Sequence, residues 1–244
     1  MINEMLRLAE LAHPQEACGV LLDTGRVYPC RKIACGVMLD TGRVYQCRNI
    51  AVNPRAQFEL DPVDYAAAEQ LGRVVGIWHS HPDDTAEPSM VDRVMCERTG
   101  LPWHIVSWPN GEHTLTEPDG WQAPYEGRPF CWGVFDCFSL VQDWHQRETG
   151  IKLPRAATQE DFWKHGENPF SAWLASSPVD VVTDDIQRGD LIFMMCEADV
   201  INHVAVYVGD SRILHQLYNQ PSQISIYGGW WQRCAVTVVR PRHG

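Results

Sequence analysis

The chain is expected to be an α+β protein of two domains, and three features of its sequence carry that expectation. At 244 residues it is long for one ordinary domain and suits two of about 100–150 residues each. The stretch EPDGWQAPYEGRP from position 117 is rich in proline, glycine and polar residues and has no apolar period, so 117–128 reads as a linker between domains at 1–116 and 129–244. Beyond it one amphipathic helix precedes a series of short strands, the order of an α+β module.

Residues 2–12 carry Ile2, Met5, Leu6, Leu8, Ala9 and Leu11 at helical spacing, and Pro14 closes this first helix. A direct repeat follows. ACGVLLDTGRVYPCRKI at 17–33 runs into ACGVMLDTGRVYQCRNI at 34–50, identical at fourteen of seventeen positions. Each copy reads as a β-hairpin around an Asp-Thr-Gly turn, and two copies are too few for a solenoid, so one copy is surplus to the fold. Next, 61–73 reads as a helix with Asp61 as N-cap and Pro62 in the first helical position. VVGIWHS at 74–80 is a buried strand, 89–100 a second helix from Ser89 to Gly100, and 103–108 and 113–117 are short strands.

In the second half, VFDCFSLVQDWHQRETG at 134–150 is an amphipathic helix starting near Cys137, and 161–177 is irregular to helical. Strands are expected at 189–196, 203–210, 211–217 and 235–242.

Composition narrows the function. Apolar residues make up 45% and charged residues 21%, as in a globular protein. The net charge of −11 argues against a nucleic-acid partner, which demands a dense basic surface. No run approaches the roughly 18 apolar residues of a membrane span. The N-terminal stretch reads as an acidic amphipathic helix rather than a signal peptide, so synthesis in a host cytoplasm is expected. Nine cysteines, an odd number without any CxxC pair, disfavour a disulfide framework and a four-thiolate zinc site. They leave Cys137 as the candidate reactive thiol, with Cys96, Cys131, Cys196 and Cys234 read as structural.

His79 and His81 stand two apart on a strand, so both imidazoles point to one face and can meet one metal ion. Asp92 follows on the first turn of the next helix. Three such ligands with a fourth position left for water make a catalytic zinc site, where water is acidified to near neutrality. A carboxylate must carry the proton to the leaving amine, and Glu16 is the candidate. The string HSHPDDTAEPSMVD resembles the JAMM (MPN-plus) metalloprotease motif at His79, His81, Pro82, Ser89 and Asp92, with Glu16 as the upstream acid. The resemblance implies a mixed sheet with flanking helices, histidine and aspartate ligands for Zn2+, Glu16 as general acid/base and the Ser89 hydroxyl stabilising the oxyanion. If the second repeat copy fills the hairpin slot, Ile33 takes the place of Glu16 and the base is lost.

Cys137 lies at a helix start, where the dipole and free N–H groups favour a thiolate. His203 opens a strand and His215 follows past a turn at Gly209-Asp210, so antiparallel neighbours can join the two rings as base and orienter for Cys137. GVFDCFSLVQD and NHVAVYVGDSRILH resemble the NlpC family of cysteine peptidases, papain-like enzymes with a helix on an antiparallel sheet that cut peptidoglycan stem peptides. Cys137, His203 and His215 fall on that family's catalytic positions. One departure stands out: the family's tyrosine before the cysteine aligns with Phe130, and Tyr125 is the candidate substitute. The fusion of the two modules resembles a family of phage tail tip assembly proteins. That implies peptidoglycan stem peptides as substrate, other tail tip proteins as partners, and a place in the host cytoplasm during assembly or at the virion tail tip. A non-catalytic assembly factor and a bacterial housekeeping wall hydrolase are the alternatives.

Overall fold

The computed structural model describes residues 1–22, 36–39, 43–51 and 53–242. Both Asp-Thr-Gly turns and Ile33 lie outside the described residues. The chain divides into two compact units, Met1–Gln122 and Ala123–Gly244. The division falls inside the stretch read as a linker, whose backbone is held on both sides of it. The Glu97 carboxylate accepts the N–H groups of Asp119, Gly120 and Trp121 at 2.8, 3.0 and 3.0 Å. In the other unit the guanidinium of Arg128 is buried and donates to the carbonyls of Ala123 and Pro124. Such contacts leave no periodic trace in the sequence.

In the first unit, α1 (Ile2–Ala12) buries Met5, Leu8, Ala9 and Ala12 along one stripe. It is followed by β1 (Cys18–Leu22), β2 (Gly36–Leu39) and β3 (Arg43–Gln46). Then come α2 (Pro62–Glu69), β4 (Val74–Pro82), α3 (Met90–Thr99), β5 (Trp103–Trp108) and β6 (His113–Thr116). Asp61 caps α2 by accepting the N–H groups of Val63 and Asp64. The strands form a mixed sheet in the order β2-β3-β1-β4-β5-β6, with β4 and β5 parallel around α3. Leu21 and Trp78 pack against α1 on one face, while Val20, Leu22 and Ile77 pack with Ala68 of α2 and Cys96 of α3 on the other. Covered on both faces, β1 is apolar throughout.

The repeat is split across the sheet. Strand β1 comes from the first copy and lies against β4, with Cys18 opposite His79. Strand β3 comes from the second copy and pairs with both first strands: Gly19 and Val20 lie opposite Gln46 and Tyr45, and so do Gly36 and Val37. Gly36 and Val37 are the repeat counterparts of Gly19 and Val20, so equivalent strands meet β3 in one register, and β2 also pairs in parallel with β1, Leu21 opposite Met38 and Leu22 opposite Leu39. Strand β2 pairs with both β3 and β1, and the first copy supplies the strand registered on the histidine strand.

The second unit holds α4 (Cys137–Glu148), a 3₁₀ turn (Phe162–His165), α5 (Pro169–Ser176), β7 (Val179–Val181), β8 (Leu191–Met194), β9 (His203–Gly209) and β10 (Arg212–His215). After these come β11 (Gln223–Ile226), α6 (Trp230–Cys234) and β12 (Ala235–Pro241). Its sheet is antiparallel in the order β11-β10-β9-β8-β12-β7. Leu140, Val141 and Trp144 of α4, with Phe170 and Trp173 of α5, pack on Phe193, Val204, Val206 and Leu214. The sequence reading did not foresee β7, β11 or α6. Strand β7 has three residues and α6 five, too short to carry a period, and β11 leaves most of its side chains at a solvent-facing edge.

Candidate functional site

The first cluster lies where β4 gives way to the loop before α3. Nε2 of His79 is 3.0 Å from Nε2 of His81 and 3.2 Å from Oδ1 of Asp92, and Nε2 of His81 is 3.4 Å from Oδ2 of Asp92. Ligand atoms about 2.0–2.1 Å from a tetrahedral zinc ion stand roughly 3.3 Å from one another. The three side chains therefore fit such an ion without rearrangement, and they are the group among the described residues able to hold a metal. The Nδ1 atom of His81 faces the Thr85 carbonyl at 2.8 Å, which fixes Nδ1 as the protonated nitrogen and turns the Nε2 lone pair inward. His79 is fully buried, stacked on Phe58 at 4.6 Å and edge-on to Trp103 at 5.6 Å. Burial holds it below its usual pKa against the pull of Asp92, so it stays a neutral ligand. Burial would raise the Asp92 carboxyl, but His79, His81 and Ser89 outweigh it and hold it well below the carboxylate range.

Ser89 caps α3. Its Oγ accepts the Asp92 N–H at 3.1 Å, and Asp92 accepts the Ser89 N–H at 2.8 Å. The Ser89 side chain also hydrogen-bonds the Asp92 carboxylate. Glu16 is buried, and burial first, then Asp92, pushes it up to about 8, with His81 opposing. Its position is set by Ser80, whose Oγ accepts the Ala17 N–H at 2.7 Å while its own N–H donates to the Ala17 carbonyl at 2.6 Å. Sequence reasoning missed Ser80 and Phe58; a serine between two histidines and an isolated phenylalanine carry no distinctive signal.

The second cluster stands at the head of β9. Asp136 caps α4 in a reciprocal box with Ser139, so Cys137 is the first helical residue. Its sulfur accepts the N–H groups of Phe138 and of Val204, the residue after His203. The expected thiolate is not what this environment favours. Burial and the Asp136 carboxylate push the Cys137 thiol well up, and the two N–H groups offset only part of that. The rings of His203 and His215 are buried and meet edge-to-face at 5.4 Å. Burial holds His215 near about 4, and burial with His215 puts His203 well below its usual value, so both rings are neutral at pH 7. Nε2 of His203 and Nδ1 of His215 are buried and neither has a hydrogen-bond partner among the described residues, so the two rings meet by ring contact alone. Nε2 of His215 is 2.9 Å from Oγ of Ser225 on β11. Trp231 covers the pair, 4.3 Å from the His215 ring and 6.0 Å from that of His203. Ser225 and Trp231 lie on elements that the sequence did not reveal. The Tyr125 hydroxyl donates to Glu148 at 3.1 Å, and its ring lies under Arg147 and Arg128, so its polar end is engaged away from Cys137.

A mixed sheet carrying a His-His-Asp cluster, together with an antiparallel sheet headed by a Cys-His-His cluster, defines a protein built from two peptidase-family modules. Residues 1–121 match the model for prokaryotic homologs of the JAB domain, and residues 127–240 match that of the NlpC/P60 family. The tail tip assembly protein K of Escherichia phage N15 is 36% identical over 244 residues, 98% of this chain and 93% of that protein. Its namesake from Escherichia phage lambda is 31% identical over 184 residues, 75% of this chain and 89% of that protein. The chain belongs to the tail tip assembly protein K family. The bifunctional muramidase/DL-endopeptidase CwlT of Bacillus subtilis is 29% identical over 172 residues, 67% of this chain and 46% of that protein. No helix among the described residues is long and apolar enough to cross a membrane.

Proposed function

We propose that the chain is a phage tail tip assembly component whose C-terminal module is a cysteine endopeptidase. Its substrate is the peptidoglycan stem peptide, cut between γ-D-glutamate and meso-diaminopimelate. The observation that carries this reading is the buried imidazole pair at the head of β9, anchored at one end by Ser225 and followed in the chain by Val204, whose N–H meets the Cys137 sulfur. If Nε2 of His215 donates to Ser225, Nδ1 of His215 is left as the acceptor for Nε2–H of His203 once the two rings, not hydrogen-bonded in the resting structure, close on each other. Nδ1 of His203 is then the free lone pair that takes the Cys137 proton, and the raised thiol ionises only as attack begins. Likeness to a protein named as a DL-endopeptidase supports the same chemistry.

The N-terminal module is proposed as a zinc peptidase acting on a protein, with other tail tip proteins as the expected partners. Zn2+ bound to His79, His81 and Asp92 supplies Lewis acidity to a scissile carbonyl and lowers the pKa of water. Glu16, buried beside the cluster, carries a proton to the leaving amine, and the Ser89 hydroxyl turns from the Asp92 carboxylate to donate to the carbonyl oxygen. The place of action is the host cytoplasm during assembly or the tail tip of the virion.

A second reading, a non-catalytic assembly factor that keeps both folds, is favoured by the raised Cys137 thiol and by the absence of a hydroxyl at Phe130. One experiment separates the two. Purified peptidoglycan is digested with wild type, Cys137→Ala and His79→Ala, and new diaminopimelate amino groups are counted. The endopeptidase reading expects release by wild type and His79→Ala and none by Cys137→Ala. Equal release by Cys137→Ala overturns the assignment, and no release by any of them favours the assembly factor.

A further inference from the structure

Two thiols with no role in either proposed site face each other at the foot of α6, and one of them, Cys196, is near enough to Cys137 to act on it electrostatically. Cys234 ends that helix and leads straight into β12, while Cys196 follows β8, the strand beside β12. The two backbones are tied here: Met195 N–H donates to the Cys234 carbonyl at 2.9 Å, and Ala235 is registered opposite Met194. Cys196 follows Met195, so the two cysteines stand diagonally across this tie rather than directly paired. From diagonal positions the thiols of Cys196 and Cys234 meet in a hydrogen bond. Both are free and only partly buried, in the apolar cluster that contains Trp231. Asn202 grips the backbone of Cys196 from both sides, donating to its carbonyl at 2.9 Å and accepting its N–H at 2.8 Å. That end of the bridge is thereby pre-positioned.

Helix α6 needs an anchor. It has five residues, no side-chain cap and no buried residue, and a single turn of this kind does not hold itself together in water. It nevertheless carries the ring that covers His215 and His203. We propose that Cys196 and Cys234 form a reversible disulfide that pins α6, and with it Trp231, against the imidazole pair when the protein meets a low-molecular-weight disulfide such as glutathione disulfide. The thiolate of one cysteine attacks a sulfur of glutathione disulfide and expels one glutathione thiolate. The second cysteine attacks the protein sulfur of that mixed disulfide and expels the other. Two electrons pass from the cysteines to glutathione disulfide, and the two cysteine protons end on the two glutathione thiols. Burial and the neighbouring thiol push Cys196 up to about 12, so the bond forms slowly near neutrality and faster in alkali.

The test uses the full chain and needs no hydrolytic activity, so it stands or falls apart from the endopeptidase reading. After incubation with glutathione disulfide at pH 8, the protein is expected to be about 2 Da lighter, with one peptide joining Cys196 to Cys234. The bond closes a loop through most of the sheet, so the melting midpoint of the C-terminal unit should rise by roughly 5–10 °C and fall back with dithiothreitol. Amide exchange over 230–234 should slow in parallel. Cys196→Ser should show neither shift and should carry one glutathione on Cys234. Stable glutathione adducts without a cross-link, unmodified thiols, or a bridge that uses Cys131 or Cys137 would overturn the proposal. A bridge that leaves exchange over 230–234 unchanged would overturn the pinning of Trp231.

Discussion

Replacing Ser225 with alanine removes one oxygen and tests the proton relay at its far end. His215 is fully buried, and its Nε2 has Ser225 Oγ at 2.9 Å as its partner. Without that oxygen an Nε2–H on a fully buried ring loses its partner, and an unmade hydrogen bond of this kind costs about 1–3 kcal/mol. His215 then prefers the other tautomer, with its proton on Nδ1 facing His203. His203 must in turn offer Nε2 as the acceptor and keep its proton on Nδ1, where it cannot receive one from Cys137. The same 1–3 kcal/mol is therefore a loss of about 5- to 150-fold in the population able to deprotonate the thiol. Two assays read it: the rate of Cys137 alkylation by iodoacetamide, mapped by mass spectrometry from pH 6 to 9, and the ¹⁵N shifts of the imidazoles. Ser225→Ala should slow alkylation by that factor and move the His215 shifts to the other tautomer, and Ser225→Thr should restore both. If Ser225→Ala alkylates like wild type while His203→Ala does not, the base acts without the serine and the relay is refuted.

Three other outcomes are expected. His79→Ala should lower bound zinc, measured by elemental analysis after dialysis, from about one per chain to near zero, because two remaining ligands do not make a site; retention of a full equivalent would show that the metal sits elsewhere. His145 is buried in α4, and burial holds it near about 4 against Gly189 and Asp190. The unfolded ring takes up its proton near pH 6.5, so between these values the unfolded state binds more protons, and stability falls as pH drops, by up to about 3 kcal/mol. His145→Gln should flatten the fall in urea midpoint of the C-terminal unit between pH 7 and 4.5, and an unchanged slope would assign the acid sensitivity to other groups. A methyl group on Gly76 would overlap the Leu21 side chain on β1 and approach the Pro102 carbonyl to 3.0 Å. Gly76→Ala should thus cost the N-terminal unit about 1–3 kcal/mol in urea unfolding; a loss below 0.5 kcal/mol would mean that β1 shifts freely.

Much of this was legible because it is written locally. The spacing of His79 and His81, with Ser89 and Asp92 after them, follows from a strand period of two and a helix N-cap, and neither needs the rest of the chain. The helix that opens at Cys137 and the strand that opens at His203 are equally plain. Ser80, Phe58, Ser225 and Trp231 could not be read in this way. Each acts through a contact made far along the chain, as when Ser80 holds Ala17 or Ser225 meets His215. The surroundings of Cys137 were out of reach of the sequence for a related reason. A helix start is visible in sequence, but the burial that outweighs it is a property of packing.

The repeat marks the boundary between the two kinds of information. By itself the sequence determined the two modules, their order and the candidate ligand and nucleophile residues, because periodicity and capping are short-range. It left β1 open to two segments, since strands that differ only by Leu21 against Met38 fit one slot equally. Tertiary structure decided between them by placing Cys18 opposite His79, which brings Glu16 to the cluster. Pairing between distant strands depends on what the whole sheet and α1 bury together, and no local pattern encodes that sum.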